Sequence, residues 1–230
     1  MRNTEQSVRV TVTRNGPYVV AGRVRLSELT IATDAAGVSE EWIGRDHPAG
    51  KAAIALCRCG HSRNKPFCDG SHARVGFDGT EVASRTPYLE QAQAFDGPAL
   101  ALLDVEKLCA FARFCDANGQ VWNEVAQTAD PEMRETFTRQ VQDCPSGRLV
   151  AWDKARQAAI EPDVEPSIGF IEDPAEGCSG PIWLRGGIAV ISADGAAYEL
   201  RQRVTLCRCG SSENKPFCDG THAAIKFQAK

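Results

Sequence analysis

A pattern of three cysteines and one histidine occurs twice in the chain, and it constrains the fold more than any other feature. The first copy, CRCGHSRNKPFCDGSH, spans residues 57–72, and the second, CRCGSSENKPFCDGTH, spans residues 207–222. Each copy contains a Cys-x-Cys pair, a third cysteine and a histidine four positions after it. Thiolate and imidazole are the protein ligands of zinc and of iron–sulfur clusters. The sequence therefore predicts two metal centres, one near each end of the chain.

The repeat is larger than the motif. The segments NGPYVVAG and SGPIWLRG precede the two motifs, and a phenylalanine, Phe77 or Phe227, follows the histidine in each copy. The flanking runs are short and rich in β-branched and aromatic residues, which is typical of strands. Each unit is too small to enclose a core of its own, so we expect the two units to pack together and share one.

The segment between the repeats predicts different structure. Asp130 and Pro131 are suited to the cap and first position of a helix, DPEMRETFTRQVQDC. Met133, Phe137 and Val141 recur at intervals of four, which indicates one apolar helix face. The run RLVAWDKARQAAI predicts a hairpin, whereas EPDVEPSIGFIEDP is acidic and rich in proline and predicts a linker.

These patterns predict a β-rich α+β protein with three parts. Residues 1–86 form a first metal-binding unit, residues 87–176 form a middle segment with its linker, and residues 177–230 form a second metal-binding unit. The total length of 230 residues is compatible with two or three small domains.

Charge and cysteine usage exclude several classes of protein. The net charge of −4 offers no basic field for a nucleic-acid backbone. The N-terminal residues lack the apolar core of a signal peptide, and no apolar run is long enough to span a bilayer. We therefore expect a cytoplasmic protein without nucleic-acid or membrane partners. Because that compartment is reducing, the 10 cysteines point to metal binding rather than to disulfides.

The chemistry of the motif leaves two kinds of centre open. Cys3His is a common set of ligands for structural zinc. Zinc sites usually separate their paired cysteines by two to four residues, however, and Cys-x-Cys is tighter. Both thiolates of such a pair can bind one iron of a sulfide-bridged cluster, which favours iron–sulfur over zinc.

Two further pairs of residues recur beside these ligands. Lys65 and Lys215 either add positive charge near the centre or are ordinary solvated lysines. Asp69 and Asp219 are expected to orient the motif backbone or to cap a short helix. That helix would place the third cysteine and the histidine on one face, one turn apart.

The repeated motif resembles the defining motif of the CDGSH iron–sulfur family, which includes mitoNEET. Both copies match that pattern at every defining position, and those in the first copy include Ser62, Pro66, Asp69 and Gly70. The resemblance implies one [2Fe–2S] cluster per motif. It assigns the inner iron to Cys57 and Cys59, the outer iron to Cys68 and His72, and the equivalent irons to Cys207, Cys209, Cys218 and His222. Animal members carry a membrane anchor and pair as homodimers. This chain carries both halves itself, so we expect a monomer with an internal pseudo-two-fold axis.

The expected function is electron transfer or iron–sulfur cluster transfer, with redox proteins or apo-acceptor proteins as partners. No paired carboxylate, nucleophile elbow or phosphate loop indicates an enzyme. The alternative is a structural module, with zinc or iron–sulfur, that mediates protein interaction.

The middle segment contains a further set of cysteines. Cys109, Cys115 and Cys144 form C-x5-C followed by CPSG, which resembles the divergent single-cluster ferredoxin family. Three thiolates could hold a [3Fe–4S] cluster as a third centre, or a [4Fe–4S] cluster with Cys178 or a non-cysteine residue as fourth ligand. The competing and favoured hypothesis is a ferredoxin-like fold that has lost its cluster, because AFARF lacks the glycines that let a backbone wrap a cubane. A helix over residues 109–115 would also separate Cys109 from Cys115.

Overall fold

The computed structural model of the chain describes residues 8–47 and 53–229. The helices within these ranges are α1 (Ser71–Arg74), α2 (Tyr88–Gln91), α3 (Val121–Glu124), α4 (Pro131–Gln142) and α5 (Thr221–Ala224). Short 3₁₀ segments cover Glu106–Leu108, Phe114–Gly119 and Val125–Gln127. The fold is β-rich, and only α4 is longer than one or two turns among the described residues.

The strands follow in chain order. They are β1 (Arg9–Val12), β2 (Tyr18–Ala21), β3 (Arg25–Thr33), β4 (Ser39–Asp46), β5 (Ala53–Leu56), β6 (Gln93–Asp96), β7 (Leu100–Asp104), β8 (Leu149–Asp153), β9 (Ala158–Ile160), β10 (Ser167–Asp173), β11 (Cys178–Arg185), β12 (Ala189–Ile191) and β13 (Arg203–Leu206). Strand β1 lies within the run SVRVTVT, in which polar and apolar residues alternate, and the first residue of that run, Ser7, lies outside the described residues.

Two of the sheets have the same strand order, and each contains a strand from the opposite end of the chain. In the first sheet, β12 pairs in parallel with β1, which is followed by β2 and β5 in antiparallel order. In the second sheet, β3 pairs in parallel with β10, which is followed by β11 and β13. Strand β4 extends this second sheet beyond β3. The two halves are therefore interwoven through exchanged strands.

The predicted common core is confirmed. One apolar cluster contains residues of both sheets, among them Val10, Tyr18, Leu56, Phe170, Ile182 and Leu206. Burial of apolar surface stabilises a fold by about 25 cal/mol per Å². Because each half alone is too small to bury much apolar surface, the joint core supplies stability that neither half would have by itself.

The middle segment forms a third sheet, in which β6, β7, β8 and β9 are antiparallel neighbours. The predicted hairpin is confirmed as β8 and β9. The predicted helix is confirmed as α4, and the Asp130 carboxylate accepts hydrogen bonds from the backbone N–H groups of Glu132 and Met133 at 2.9 and 3.0 Å. Phe137 and Val141 are fully buried against the third sheet.

The predicted linker was wrong over Ser167–Asp173. These residues form β10, which lies between β3 and β11 in the second sheet. Ile168, Phe170 and Ile171 are buried there. The acidic and proline residues that suggested a linker lie mostly in the preceding stretch, residues 161–166, and at the end of the strand, whereas the short apolar run between them carries β10.

A buried arginine connects the second metal-binding unit to the middle segment through hydrogen bonds and an ion pair. Arg203 on β13 is 1% exposed. It donates hydrogen bonds to the carbonyl oxygens of Val141, Cys144 and Leu149 at 2.6, 2.8 and 3.0 Å, and it pairs with Glu161 at 2.7 Å. Breaking one partner of such a buried network costs about 3–5 kcal/mol, so this junction is rigid.

Candidate metal centres

The two motifs have the same local backbone frame. The amide of Cys57 donates to the carbonyl of Pro66 at 2.8 Å, and the amide of Cys207 donates to the carbonyl of Pro216 at 2.8 Å. The third cysteines, Cys68 and Cys218, each donate a backbone hydrogen bond of 2.9 Å to the preceding strand. Each motif is thus folded back on β5 or β13, which brings its third cysteine beside the strand that leads to the Cys-x-Cys pair.

In each motif the predicted ligand atoms form two pairs. The sulfur atoms of Cys57 and Cys59 lie 3.9 Å apart, and the Cys68 sulfur lies 3.4 Å from Nδ1 of His72. The equivalent distances in the second motif are 3.8 Å between the paired thiols and 3.4 Å between the Cys218 sulfur and Nδ1 of His222. The imidazole nitrogen on the sulfur side is therefore Nδ1 in both copies.

The pairs do not merge into one single-ion site. Across residues 8–47 and 53–229, no three Cys, His, Asp or Glu side chains are placed to hold one metal ion. A tetrahedral zinc ion would require its four ligands at one point. Two separate pairs instead fit a group with two metal atoms, each held by one pair.

The predicted helical spacing of the third cysteine and the histidine was wrong in detail. Cys68 and Cys218 lie outside the helices, because α1 begins at Ser71 and α5 at Thr221. Gly70 and Gly220 precede these helices in the left-handed conformation, with φ of 84° and 88°. A tight turn, rather than helical periodicity, brings the sulfur and the imidazole together.

The aspartates after the third cysteines orient the backbone, as predicted. The Asp69 carboxylate accepts hydrogen bonds from the amides of Arg63 and Ser71, both at 2.9 Å. These bonds hold the pKa of Asp69 well below its ordinary value. Asp219 accepts the equivalent bonds from Glu213 at 2.7 Å and from Thr221 at 3.0 Å.

Backbone amides also point at the sulfur atoms. The N–H groups of Gly70 and Gly220 donate to the sulfur of the preceding cysteine at 3.4 and 3.5 Å. Lys65 and Lys215 each donate from Nζ to a motif carbonyl at 2.7 Å, so their ammonium groups are held within the motif. Both features favour negative charge on the sulfur atoms.

The two motifs pack directly against each other. A Cβ atom on Gly60 would lie 2.3 Å from the carbonyl oxygen of Cys209, and a Cβ atom on Gly210 would lie 2.6 Å from that of Cys59. Both glycines have positive φ, at 76° and 86°. The glycine after each Cys-x-Cys pair therefore makes room for the backbone of the other motif, a reciprocal contact that sequence analysis did not find.

Sequence analysis also missed the arginines between the paired cysteines. Arg58 and Arg208 are 1% and 5% exposed. Arg58 donates to the carbonyls of Thr13 and Gly79 at 3.2 and 2.6 Å, whereas Arg208 pairs with the Glu172 carboxylate at 2.9 Å. The sequence did contain a signal for them, because an arginine stands between the paired cysteines in both motifs. Besides burial, the charge of Arg208 lowers the pKa of His222, and the Glu172 carboxylate offsets part of that charge.

The second motif is far more enclosed than the first. Cys218 and His222 are each 3% exposed, whereas Cys68 and His72 are partly exposed. Burial lowers the pKa of His222 to about 4 and raises the pKa of Cys218 well above its ordinary value. Both shifts favour neutral side chains, so a metal must displace a proton from the Cys218 thiol but not from the imidazole.

The enclosure comes from the middle segment and the chain that leads to it. A Cβ atom on Gly220 would lie 3.3 Å from the carbonyl oxygen of Cys109. The Asn214 side chain donates to the Lys107 carbonyl at 3.0 Å. The amides of Val82 and Ala83 both donate to the carbonyl of Lys215, at 2.9 and 3.0 Å.

Cys109 begins an irregular loop that leads to Cys115 in the 3₁₀ segment Phe114–Gly119, and the helix considered for residues 109–115 is absent, whereas Cys144 follows the end of α4. Phe111 and Arg113 have positive φ of 55° and 62°, so the loop turns without glycine. The pKa of Cys115 is raised by burial and by its neighbours Asp116, Cys144 and Cys109, so both other thiols lie within electrostatic reach of Cys115.

Cys178 belongs to another environment. It is buried on β11, and its charged neighbours are Asp173, Lys226, Glu176 and Arg113. The structure gives no support to Cys178 as a fourth ligand beside the middle cysteines.

Comparison with protein families decides the identity of the repeats. The family model described as iron-binding zinc finger CDGSH type matches residues 15–73 and 179–223. The two repeats are CDGSH units. These matched CDGSH regions enclose both complete sets of predicted ligands. No curated protein matches the chain.

The segment between the CDGSH units matches a second family model, described as divergent 4Fe-4S mono-cluster, over residues 95–154. This match encloses Cys109, Cys115 and Cys144 and ends before Cys178. Together the three matches, two to the CDGSH model and one to the 4Fe-4S model, support an iron–sulfur binding protein. In the described parts of the chain, every helix is too short or too polar to cross a membrane.

Proposed function

We propose that each CDGSH unit holds one [2Fe–2S] cluster through three thiolates and one imidazole. The ligands are Cys57, Cys59, Cys68 and His72 in the first unit and Cys207, Cys209, Cys218 and His222 in the second. The observation that carries the proposal is the separation of each set into a thiol–thiol pair and a thiol–imidazole pair. Each pair suits one iron. Bound there, the cluster accepts and releases one electron.

The chain's own residues would tune this centre. The amides of Gly70 and Gly220 donate to the sulfur atoms and would stabilise added negative charge, and the buried guanidinium of Arg208 would act on the second centre from its position near His222. A neutral imidazole in place of a thiolate would also raise the reduction potential, since clusters with histidine ligands have higher reduction potentials than all-cysteine clusters. The proposed role is electron transfer to partner proteins, with cluster transfer to an apo-acceptor as the competing role.

Metal analysis tests the proposal. We expect aerobically purified protein to be red-brown, to contain acid-labile sulfide and to bleach with dithionite. Cys59→Ser and Cys209→Ser serve as matched variants, and each should remove the signal of one cluster only. Stoichiometric zinc without sulfide would instead establish a structural zinc module. Incubation with an apo-ferredoxin separates the two carrier roles, because only cluster transfer moves iron and sulfide to the acceptor.

We also propose that the two CDGSH units form an intrachain pseudo-dimer. Two observations support it: the equal strand order of the first and second sheets and the reciprocal contacts of Gly60 and Gly210. The contact of Gly60 with the Cys209 carbonyl is repeated by that of Gly210 with the Cys59 carbonyl, as in an isologous interface. Light scattering should give the mass of a monomer, and an obligate dimer that loses its clusters on dilution would contradict this arrangement.

Our third proposal is a third cluster at Cys109, Cys115 and Cys144, in place of the hypothesis of a lost cluster. The observation that favours it is the loop, whose residues Phe111 and Arg113 have the left-handed conformation that glycines were expected to provide. Iron in excess of four atoms per chain after anaerobic purification, abolished by Cys144→Ala, is the expected result. An unchanged iron content in Cys144→Ala would restore the hypothesis of a lost cluster.

A further inference from the structure

The CDGSH units differ most at the side chains that face solvent. The first motif has Arg63 where the second has Glu213, and it has Arg74 where the second has Ala224. Arg63 is exposed, and the Arg74 side chain is 64% exposed. These two substitutions make the first face more positive by three units, and Lys226, which stands where the first copy has Gly76, reduces the difference to two units.

Other residues strengthen this basic face and give it an apolar element. Val75 follows Arg74 and is 48% exposed. Lys65 adds an ammonium group within the first motif. The nearest acidic group is Asp69, which lies 3.8 Å from Arg74 and already accepts two backbone hydrogen bonds. Exposed arginine beside an exposed apolar side chain is the composition found at the centre of many protein interfaces.

The basic face surrounds the one CDGSH ligand pair that reaches the surface. His72 and Cys68 are partly exposed, whereas His222 and Cys218 are each 3% exposed beneath the middle segment. A partner can therefore approach the outer pair of the first centre closely. At the second centre the same approach is blocked by Lys107 and Cys109, whose carbonyls already contact that motif.

The rest of the protein does not share this sign of charge. The chain as a whole carries a net charge of −4. A basic patch on an acidic protein orients a partner by attraction at the patch and repulsion elsewhere, and such steering raises association rates by about 10- to 1000-fold at low salt.

We propose that the face formed by Arg63, Lys65, His72, Arg74 and Val75 is the docking surface for an acidic redox protein. Electrons enter or leave the chain at the first centre, and the second centre exchanges electrons only within the chain. This inference rests on the proposed function, since it assigns the port of the same electron carrier. In the step itself, one electron leaves the reduced cluster of the partner and reduces the oxidised first cluster, with no bond made or broken.

The test uses reduced plant-type [2Fe–2S] ferredoxin as the acidic probe, mixed with the oxidised full-length protein in a stopped-flow instrument. We expect the second-order rate to fall steeply as salt rises. Arg63→Glu with Arg74→Glu should lower the rate at low salt by at least about tenfold. Arg63→Glu alone guards against a folding effect of Arg74, which also donates to Ser71. Glu213→Arg, the matched change at the second centre, should change the rate by less than about twofold.

Three results would overturn the docking surface. They are a rate independent of salt, an unchanged rate in Arg63→Glu with Arg74→Glu, and a rise in Glu213→Arg as large as the fall in that variant. The visible spectrum and the iron and sulfide content of each variant are recorded first. Absence of clusters in the unmodified protein contradicts the proposed function, whereas intact clusters with a charge-independent rate contradict only the docking surface.

Discussion

The first and second CDGSH motifs have nearly the same sequence and the same backbone, yet they lie in different surroundings. Both place their ligand atoms at matching distances, from 3.4 to 3.9 Å. The thiol–imidazole pair is partly exposed in the first and buried in the second, and the arginine between the paired cysteines contacts carbonyls in one and the Glu172 carboxylate in the other. A motif therefore fixes the geometry of a centre, whereas its neighbours determine access and charge.

The largest effect is expected where the motifs touch. Gly60→Ala or Gly210→Ala would place a methyl group within 2.3 or 2.6 Å of a backbone carbonyl, at a positive φ. Overpacking and the left-handed conformation together should cost about 3 kcal/mol, which lowers the melting temperature by roughly 6–12 °C.

Gly70→Ala is the matched control for these variants. Gly70 also has a positive φ, of 84°, but a Cβ atom there has no neighbour within 4 Å. Its cost should be about 1 kcal/mol, or roughly 2–4 °C. Equal melting temperatures for Gly70→Ala and Gly60→Ala would show that the contact between the motifs is not tight.

The next largest effect is expected in the rates at which the two centres lose their clusters in acid. Protons displace metal from imidazole and thiolate, so release accelerates as the pH falls. Because His72 and Cys68 are partly exposed, we expect the first cluster to be lost about tenfold faster than the second at pH 5, in two phases of visible absorbance. His72→Cys should slow the fast phase and His222→Cys the slow phase. A single phase in the unmodified protein would remove the proposed difference in access.

A smaller effect is expected from Glu172. Glu172→Gln removes the negative charge that pairs with Arg208 at 2.9 Å. The remaining positive charge favours the reduced cluster, so the potential of the second centre should rise by tens of millivolts, where 59 mV is a tenfold change in electron distribution. A redox titration followed by electron paramagnetic resonance measures it. A fall in this potential, or an equal rise at the first centre, would contradict the local effect of the pair.

The smallest effect concerns the cover over the second motif. Gly220→Ala repeats the Gly70→Ala change at a site where the Cys109 carbonyl lies 3.3 Å from the added Cβ atom. We expect a slightly lower melting temperature than for Gly70→Ala and faster acid release from the second centre only. Identical behaviour of the two variants would show that the Cys109 loop does not press on the second motif.

Local signals in the sequence predicted local structure well. The ligand spacing, the cap of Asp130 on α4 and the β8–β9 hairpin were all readable, because each depends on residues close in the chain. The linker predicted over β10 was wrong because it also relied on local signals alone. Its acidic and proline-rich approach was a strong local signal, whereas its place between β3 and β11 depends on distant partners.

The exchange of β3 and β12 and the unequal burial of His72 and His222 could not be predicted from the motifs. Strand alternation tells which face of a strand is buried but does not name the strand that pairs with it. Two almost identical motifs also carry no information about which of them the middle segment covers. The loop at Phe111 and Arg113 was missed because positive φ is uncommon outside glycine.

Counting iron and sulfide in the Cys144→Ala variant tests the central claim most directly, because this variant removes the middle centre and leaves both CDGSH units intact. The account predicts about four irons and four acid-labile sulfides per chain, and about two of each when Cys68→Ser or Cys218→Ser is added. Stoichiometric zinc without sulfide, or loss of all iron in either of these double variants, would contradict two independent [2Fe–2S] centres.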